Sequence, residues 1–377
     1  MVQRIATSDQ PALEGTALVY DFLLVPGGAE QVFLHTLERH RDWRGLVGFV
    51  TPSAFPTDAL PLDRLSALAG PSTLRGWQGL KVLRAFERKA AQLATCDRVL
   101  FSGVYAPAGV RHRPATGNFY YCHTPPRFAY DLEDWYLERA AAWQRPALRW
   151  LARRVRAAYG GALARMNRVA ANSRTVRDRL RRHLGLSDVT VIHPPVNTAA
   201  WQCLGQDDFY LSNARLEPYK RVDWAVRAFA GMPDRKLVVT SGGSELSRLQ
   251  RLAAGHDNIR FTGWCDTATL RELTGRCIAT LYLARDEDFG MSPVESMAAG
   301  KPVIGVAEGG LRETVVPGKT GMLLPPEAAE DPEALREVVR ALDGPAARAM
   351  QSACEARAAR FAPEAYDRSL DRFLGLA

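Results

Sequence analysis

The feature that most constrains this chain is an alternation that runs almost its whole length and starts over in the middle. Short β-branched or apolar runs alternate with segments of helical period, the pattern of parallel strands joined by crossover helices. In the first half the strand candidates are Ala17–Phe22, Leu46–Thr51, Arg98–Ser102, Asn118–Cys122, Val169–Asn172 and Val189–His193. Helix candidates lie between them, notably Ala29–His40, Gly79–Thr95 and Arg145–Arg165. The second half restarts with strands at Phe209–Ser212, Lys236–Thr240, Ile259–Phe261, Ile278–Leu283 and Pro302–Val306, and helices starting near Arg221, Glu245, Thr267, Pro293 and Pro332. Between the halves lies VIHPPVNTAAW, whose Pro194 and Pro195 can continue neither a helix nor a central strand.

A chain of 377 residues is too long for one ordinary core and suits two. The expected fold is therefore α/β, with two Rossmann-like domains at residues 1–196 and 197–360. Residues 361–377 hold a last helix candidate, opened by Pro363, that could pack back on the first domain. The stretch before Thr16 has no assignment.

Composition narrows the class. The six cysteines are scattered with no CxxC spacing, which argues against a zinc site and a disulfide framework and for a reducing compartment. The first residues lack the apolar core of a signal sequence, and no apolar run approaches the roughly 18 residues of a membrane span. The expectation is a soluble, cytoplasmic protein. Charge is uneven: residues 1–196 carry 27 Lys+Arg against 16 Asp+Glu, whereas 197–377 carry 22 against 25. From Arg139 to His183 there are thirteen arginines and one acid, Asp178. That stretch is either a solvated helix face or a surface for phosphates or anionic lipid. No aromatic-basic motif accompanies it, so nucleic acid is not an expected partner.

Four segments could carry chemistry. In EDFGMSPVESMAAGKPVIG, Glu287 follows a strand, Gly290 permits close approach of backbone to ligand, and Ser292-Pro293 suit an N-cap and first helical position. Backbone N–H groups at Gly290, Met291 and Ser292 would then face an anion. Glu295 could accept two vicinal hydroxyls, but Ser292-x-x-Glu295 is equally a capping box. In SNARLEPYKR, Arg215 and Lys220 could converge on one diphosphate, or be two surface cations. In VPGGAEQV, Gly27 and Gly28 allow backbone approach to a ligand or form a plain strand-to-helix turn. In YYCHTPPRFAYD, His123 ends a strand before the turn at Pro125-Pro126.

Together these segments resemble the family-4 glycosyltransferases of the GT-B fold, over about Thr16 to Leu374. The matching residues are Gly27-Gly28-Ala29-Glu30, His123, Ala171-Asn172-Ser173, the Arg215/Lys220 pair, and Glu287 and Glu295 followed by AAGKPVI. YCHTPPRFAYD with EDFGMSPVE is similar to the subgroup of O-antigen and exopolysaccharide mannosyltransferases. The resemblance implies two domains facing across a cleft, the first on the acceptor side and the second binding a nucleotide-sugar. Arg215 and Lys220 would neutralise the departing diphosphate and Glu295 would hold ribose hydroxyls. Glu287, with backbone at Phe289, Gly290, Met291 and Ser292, would hold the transferred sugar and phosphate. His123 would contact that sugar, and Gly28 the phosphate or acceptor. Retention of anomeric configuration is implied, and no carboxylate is identifiable as a covalent nucleophile.

The expected donor is GDP-mannose, with UDP-sugars as the alternative, and the acceptor a glycan or lipid-linked saccharide in cell-surface polysaccharide synthesis. No cofactor or metal is expected, because Arg215 and Lys220 supply the positive charge. Asp286-Glu287-Asp288 nevertheless reads formally as the DxD of a metal-dependent transferase. An epimerase or hydrolase on the same fold is a further alternative. The basic stretch Arg139–Arg182 would place the protein peripherally on an anionic membrane.

Overall fold

The computed structural model describes residues 13–25, 27–55, 59–70 and 78–376. Residues 1–12, at the start of the unassigned stretch, lie outside these. The chain forms two compact units, one running to Ile192 and taking in Asp367 onward, the other His193–Tyr366. The division thus falls at His193, just ahead of the double proline.

The first unit is built on a parallel sheet of β1 (Thr16–Tyr20), β2 (Arg44–Val47), β3 (Leu65–Ala67), β4 (Arg98–Ser102), β5 (Asn118–Cys122), β6 (Arg168–Ala171) and β7 (Val189–Val191), in the order β3-β2-β1-β4-β5-β6-β7. Its helices are α1 (Gly28–Arg39), α2 (Gln78–Lys89), α3 (Glu133–Arg139), α4 (Arg145–Leu163) and α5 (Arg174–Leu184). The central strands are buried on both faces, as a sheet covered by helices on two sides requires, and the core gathers Val19, Leu46, Phe86, Phe101, Tyr120 and Tyr159.

The second unit has β8 (Tyr210–Ser212), β9 (Leu237–Thr240), β10 (Ile259–Gly263), β11 (Thr280–Tyr282), β12 (Val303–Val306) and β13 (Gly321–Leu324), in the order β10-β9-β8-β11-β12-β13. Its helices are α6 (Val222–Ala230), α7 (Leu246–Leu252), α8 (Thr267–Arg276), α9 (Met291–Ala298), α10 (Leu311–Thr314), α11 (Pro332–Ala341), α12 (Gly344–Ala349) and α13 (Gln351–Ala358). The chain ends in α14 (Pro363–Leu374). Within the first unit, Asp367 of α14 meets His35 of α1 at 2.8 Å and Phe373 packs edge-on against Phe119 of β5 at 5.7 Å.

Each sheet reverses its strand order once, between β1 and β4 and between β8 and β11, and ligands of open α/β sheets bind at the carboxyl ends of strands flanking such a reversal. At the first reversal a buried carboxylate closes the gap. Asp21 accepts hydrogen bonds from the backbone N–H groups of Val104, Tyr105 and Ala106 at 2.6, 2.7 and 2.7 Å. Burial pushes its pKa up to about 6 against the pull of those three donors. Gly103, at φ +90°, lies so close that a Cβ there would stand 2.5 Å from the Asp21 carboxyl carbon. Asp21→Ala should cost at least about 2 kcal/mol, since leaving buried donors unpaired costs about 1–3 kcal/mol each. Chemical denaturation with unchanged m-value is the check, and a loss under about 0.5 kcal/mol would refute this account.

Candidate functional site

At the second reversal the loops after β8 and β11 meet. Lys220 ends a 3-10 turn, Pro218–Lys220, and its ammonium is buried. Its Nζ donates to Tyr282 Oη at 3.0 Å and to Glu287 Oε2 at 2.6 Å, while Tyr282 Oη donates to the same Glu287 oxygen at 3.0 Å. Burial by itself would lower the lysine pKa, but Tyr282 and Glu287 outweigh it and hold it above the ordinary value. Burial and the Glu287 charge push the Tyr282 phenol up, so it stays a donor. An ammonium has three N–H groups, and these two bonds leave the third for an incoming oxygen. Glu287, the middle residue of the formal DxD, is thus engaged by a cation. Among the described residues no group of three or more His, Cys, Asp or Glu is arranged to hold a metal.

Arg215 stands exposed on the same loop as Lys220 and makes no ion pair among the described residues. That loop is clamped from the β9 side: Leu216 N–H donates to Gly242 O at 3.0 Å, Glu245 N–H to Leu216 O at 2.9 Å, and Ser244 Oγ to Glu217 at 2.6 Å. A Cβ on Gly243 would lie 2.3 Å from Leu216 O, so only glycine fits.

The loop after β11 leads into α9, where the structure corrects the expected cap. Gly290, at φ +89°, is the N-cap and Met291 the first helical residue, so the helix starts before Ser292. A left-handed turn is open to glycine at no steric cost, which lets the helix begin directly after Gly290. Pro293 then sits third in the helix, where its missing N–H is one the helix would not have used. The N–H groups of Met291 and Ser292 remain at the positive end of the helix as expected. Because Ser292 lies inside the helix, the capping box gives way to a side-chain hydrogen bond between Ser292 and Glu295. Glu295 is half-buried, and burial pushes its pKa up to about 7 despite that bond and the charge of Arg271.

In the first unit Gly27 is the N-cap of α1 and Gly28 its exposed first residue. Glu30 curls back beneath them, accepting from Tyr20 Oη at 3.3 Å, and a Cβ on Gly27 would lie 2.6 Å from Glu30 Oε2. His123 stands edge-on to Tyr20 and Tyr121, with ring centroids 6.1 and 5.0 Å apart. Burial pushes its pKa down to about 3, so it is a neutral hydrogen-bonding group.

Three features escape a reading of the sequence. Tyr282 looks like a plain strand residue. Gly309 and Gly310, after β12, support the Glu287 loop from beneath: Gly310 N–H donates to Glu287 O at 2.7 Å, and Cβ atoms there would lie 2.4 Å from Glu287 O and Phe289 Cα respectively. The paired glycine following a strand candidate was the available signal. Trp264, after β10, is 72% exposed, and its ring lies against Gly242, where a Cβ would be 2.4 Å from Nε1.

Comparison with known proteins places this geometry. Residues 26–200 match the family model Glycosyltransferase Family 4, and residues 199–354 match Glycosyl transferases group 1. D-inositol 3-phosphate glycosyltransferase of Mycobacterium leprae is 32% identical over 171 residues, covering 42% of this chain and 39% of that protein. Its counterpart in Streptomyces avermitilis is 31% identical over 227 residues, 52% of this chain and 48% of that protein. The matches therefore span about two fifths to half the length of these relatives. Among solved structures, Anabaena Alr3699/HepE in complex with UDP-glucose superposes with a TM-score of 0.73 at 18% identity, over 96% of this chain and 100% of that one. Sucrose-phosphate synthase from Thermosynechococcus elongatus does so with a TM-score of 0.72 at 20% identity, over 96% and 98%. The chain has the GT-B fold, two parallel-sheet Rossmann-like domains. Its first domain is similar to Glycosyltransferase Family 4 and its second to Glycosyl transferases group 1, the two matches together running from residue 26 to residue 354.

Two predictions follow from the protonation states. If Glu295 accepts from a diol, affinity for an intact nucleoside-diphosphate sugar should rise from about pH 6 to about pH 8 as the carboxylate forms. Glu295→Gln should flatten that profile, and an unchanged profile in calorimetric titration would exclude the role. Lys220→Ala should weaken the same binding by about tenfold or more. It should also destabilise the fold by about 2 kcal/mol, less than for a fully buried pair because Glu287 keeps part of its side chain in solvent. Denaturation and calorimetry read the two losses separately.

Proposed function

We propose that the protein is a retaining, metal-independent glycosyltransferase that moves a sugar from a nucleoside-diphosphate donor to a glycan or lipid-linked acceptor in cell-surface polysaccharide synthesis. The observation that carries this reading is the Lys220 ammonium, pinned by Tyr282 and Glu287 at the β8/β11 reversal. Glycosyl transfer builds negative charge on the departing diphosphate, and a preorganised cation aimed at that charge lowers the barrier without reorganising. Arg215 on the same loop and the N–H groups at the start of α9 add to that field. With those groups in place a divalent cation is not needed for charge neutralisation, so activity should survive EDTA. Complete loss with EDTA and rescue by Mn²⁺ would revive the DxD reading.

In this proposal Glu295 holds the ribose hydroxyls, and Glu287 with the backbone of Phe289 to Ser292 holds the transferred sugar and phosphate. Neutral His123 and the Gly27-Gly28 turn act on the sugar and acceptor side. Exposed Trp264 offers an aromatic face on which a nucleotide base can stack. The donor we favour is GDP-mannose, from the likeness of Tyr121–Pro126 and Glu287–Gly290 to the mannosyltransferase subgroup. UDP-glucose is the second reading, favoured by the HepE structure that holds it on a matching fold. Calorimetry with GDP and UDP, then turnover of the matching sugars with and without acceptor, decides between them. Tight UDP binding with no GDP binding would end the mannose assignment, and turnover independent of any acceptor would point to a hydrolase or epimerase.

A further inference from the structure

The arginine-rich stretch resolves into two populations. Many of its arginines are spent inside the unit. Arg154 pairs with Glu87, Arg156 with Glu133 and the Ala129 carbonyl, Arg168 with the Phe373 carbonyl, and buried Arg179 faces Asp131 at 3.7 Å. The outer face of α4 is different. Ala152, Val155, Tyr159 and Ala162 bury one side of this helix. At 3.6 residues per turn Trp150 and Arg153 fall on the opposite side. Trp150 is 48% exposed, and Trp143, seven residues earlier in the 3-10 turn that feeds the helix, is 79% exposed. Arg145, Arg149 and Arg153 stand exposed around them without an ion-pair partner among the described residues; Arg145 Nε donates to the Ala140 carbonyl at 3.3 Å, and its charge stays uncompensated. The acids nearby sit on α3, where Glu133 is already paired and Asp134 and Glu138 stand exposed, whereas α4 carries five arginines and no acid, so the excess of positive charge lies on α4.

Exposed indoles interleaved with unpaired arginines fit one environment in particular. Trp prefers the headgroup level of a bilayer, where its ring is half in hydrocarbon and its N–H stays wet, while arginines meet lipid phosphates. A protein partner would call for a contiguous apolar centre, and here the two indoles are separated by charge. We propose that the turn at Trp143 and the outer face of α4 form a docking surface for a bilayer rich in anionic phospholipid. Trp143 and Trp150 insert at the headgroup boundary, and Arg145, Arg149 and Arg153 contribute salt-sensitive contacts to lipid phosphates. This site is separate from the donor-binding residues and does not depend on which sugar is transferred.

Flotation of the full-length chain with phosphatidylcholine vesicles, with and without about one third phosphatidylglycerol, tests the proposal. The protein should float with the anionic vesicles at low salt and lose most of that binding in high salt. Tryptophan fluorescence should shift to the blue on binding. Trp143→Ala/Trp150→Ala, and separately Arg145→Glu/Arg149→Glu/Arg153→Glu, should each weaken partitioning by about tenfold or more. Arg→Lys at the same three positions should retain it, because bilayer attraction depends mainly on charge. Thermal denaturation confirms that each variant is folded, and the lysine variant keeps the test decisive if the glutamate variant is not. No flotation of the wild-type chain, or equal flotation of the tryptophan variant, would overturn the assignment. So would a dimer that the tryptophan variant abolishes, or retention on a polyanion without vesicle binding.

Discussion

The second unit is organised around a lysine that should not be comfortable where it is. Taking an ammonium out of water costs several kcal/mol, and only a carboxylate and a hydroxyl in fixed positions return that cost. Glu287 and Tyr282 provide them, but only because β11 lies beside β8 in the sheet. The carboxylate in turn depends on a difficult loop. Asp286 holds a left-handed φ of +47° and Gly290 one of +89°, and the segment between them rests on Gly309 and Gly310 with no room for a Cβ. On the other side the β9 loop clamps the segment that carries Lys220. The glycines, the strained aspartate and the sheet order are all conditions for one ion pair.

That arrangement sets charge states without any ligand. Lys220 stays protonated because its neighbours demand it, Tyr282 stays a phenol, and His123 stays neutral because burial disfavours its cation. Glu295 is the exception, poised near neutrality by burial working against Ser292 and Arg271. A cation already fixed in place loses little on meeting a diphosphate, which is the electrostatic economy that preorganised sites exploit. A carboxyl near its midpoint can instead respond to what binds, becoming a better acceptor when a diol presents two O–H groups.

How much of this was legible from residues alone depends on whether the determinant is local. The alternation located most strands within a few residues, because β-branched runs bounded by turns are local signals. It missed β3 and β13, whose sequences LSA and GMLL contain no β-branched residue and which sit at sheet edges, held by pairing to β2 and β12. It placed the N-cap of α9 at Ser292 because Ser-Pro is a strong local pattern. The true cap at Gly290 is set by support from the β12 loop, far away in sequence. Arg215, Lys220, Glu287 and Glu295 could be named one by one, but the Lys220–Glu287 bond depends on strand order, which no local pattern encodes. Tyr282 stayed invisible for the same reason, since a tyrosine in a strand reads as core until its hydroxyl is seen to have two ionic neighbours.

Net charge is the least local property of all, and the arginines show why it misleads when taken as a block. Arg113 is buried and spends its guanidinium on Asn118 Oδ1 and on the Leu93 and Cys96 carbonyls, tying the segment that leads into β4 to the start of β5. Arg154 and Arg156 fasten α4 to α2 and α3. These residues count toward the excess of positive charge while projecting little of it outward, because carbonyls and carboxylates already occupy their donors. What reaches solvent unopposed is set by helical phase. Once Val155 and Tyr159 face the core, Trp150 and Arg153 must face away from it, with Arg149 exposed on the flank. An exposed tryptophan there gains nothing from the fold of its own unit, so the reason for its place has to be sought outside the chain.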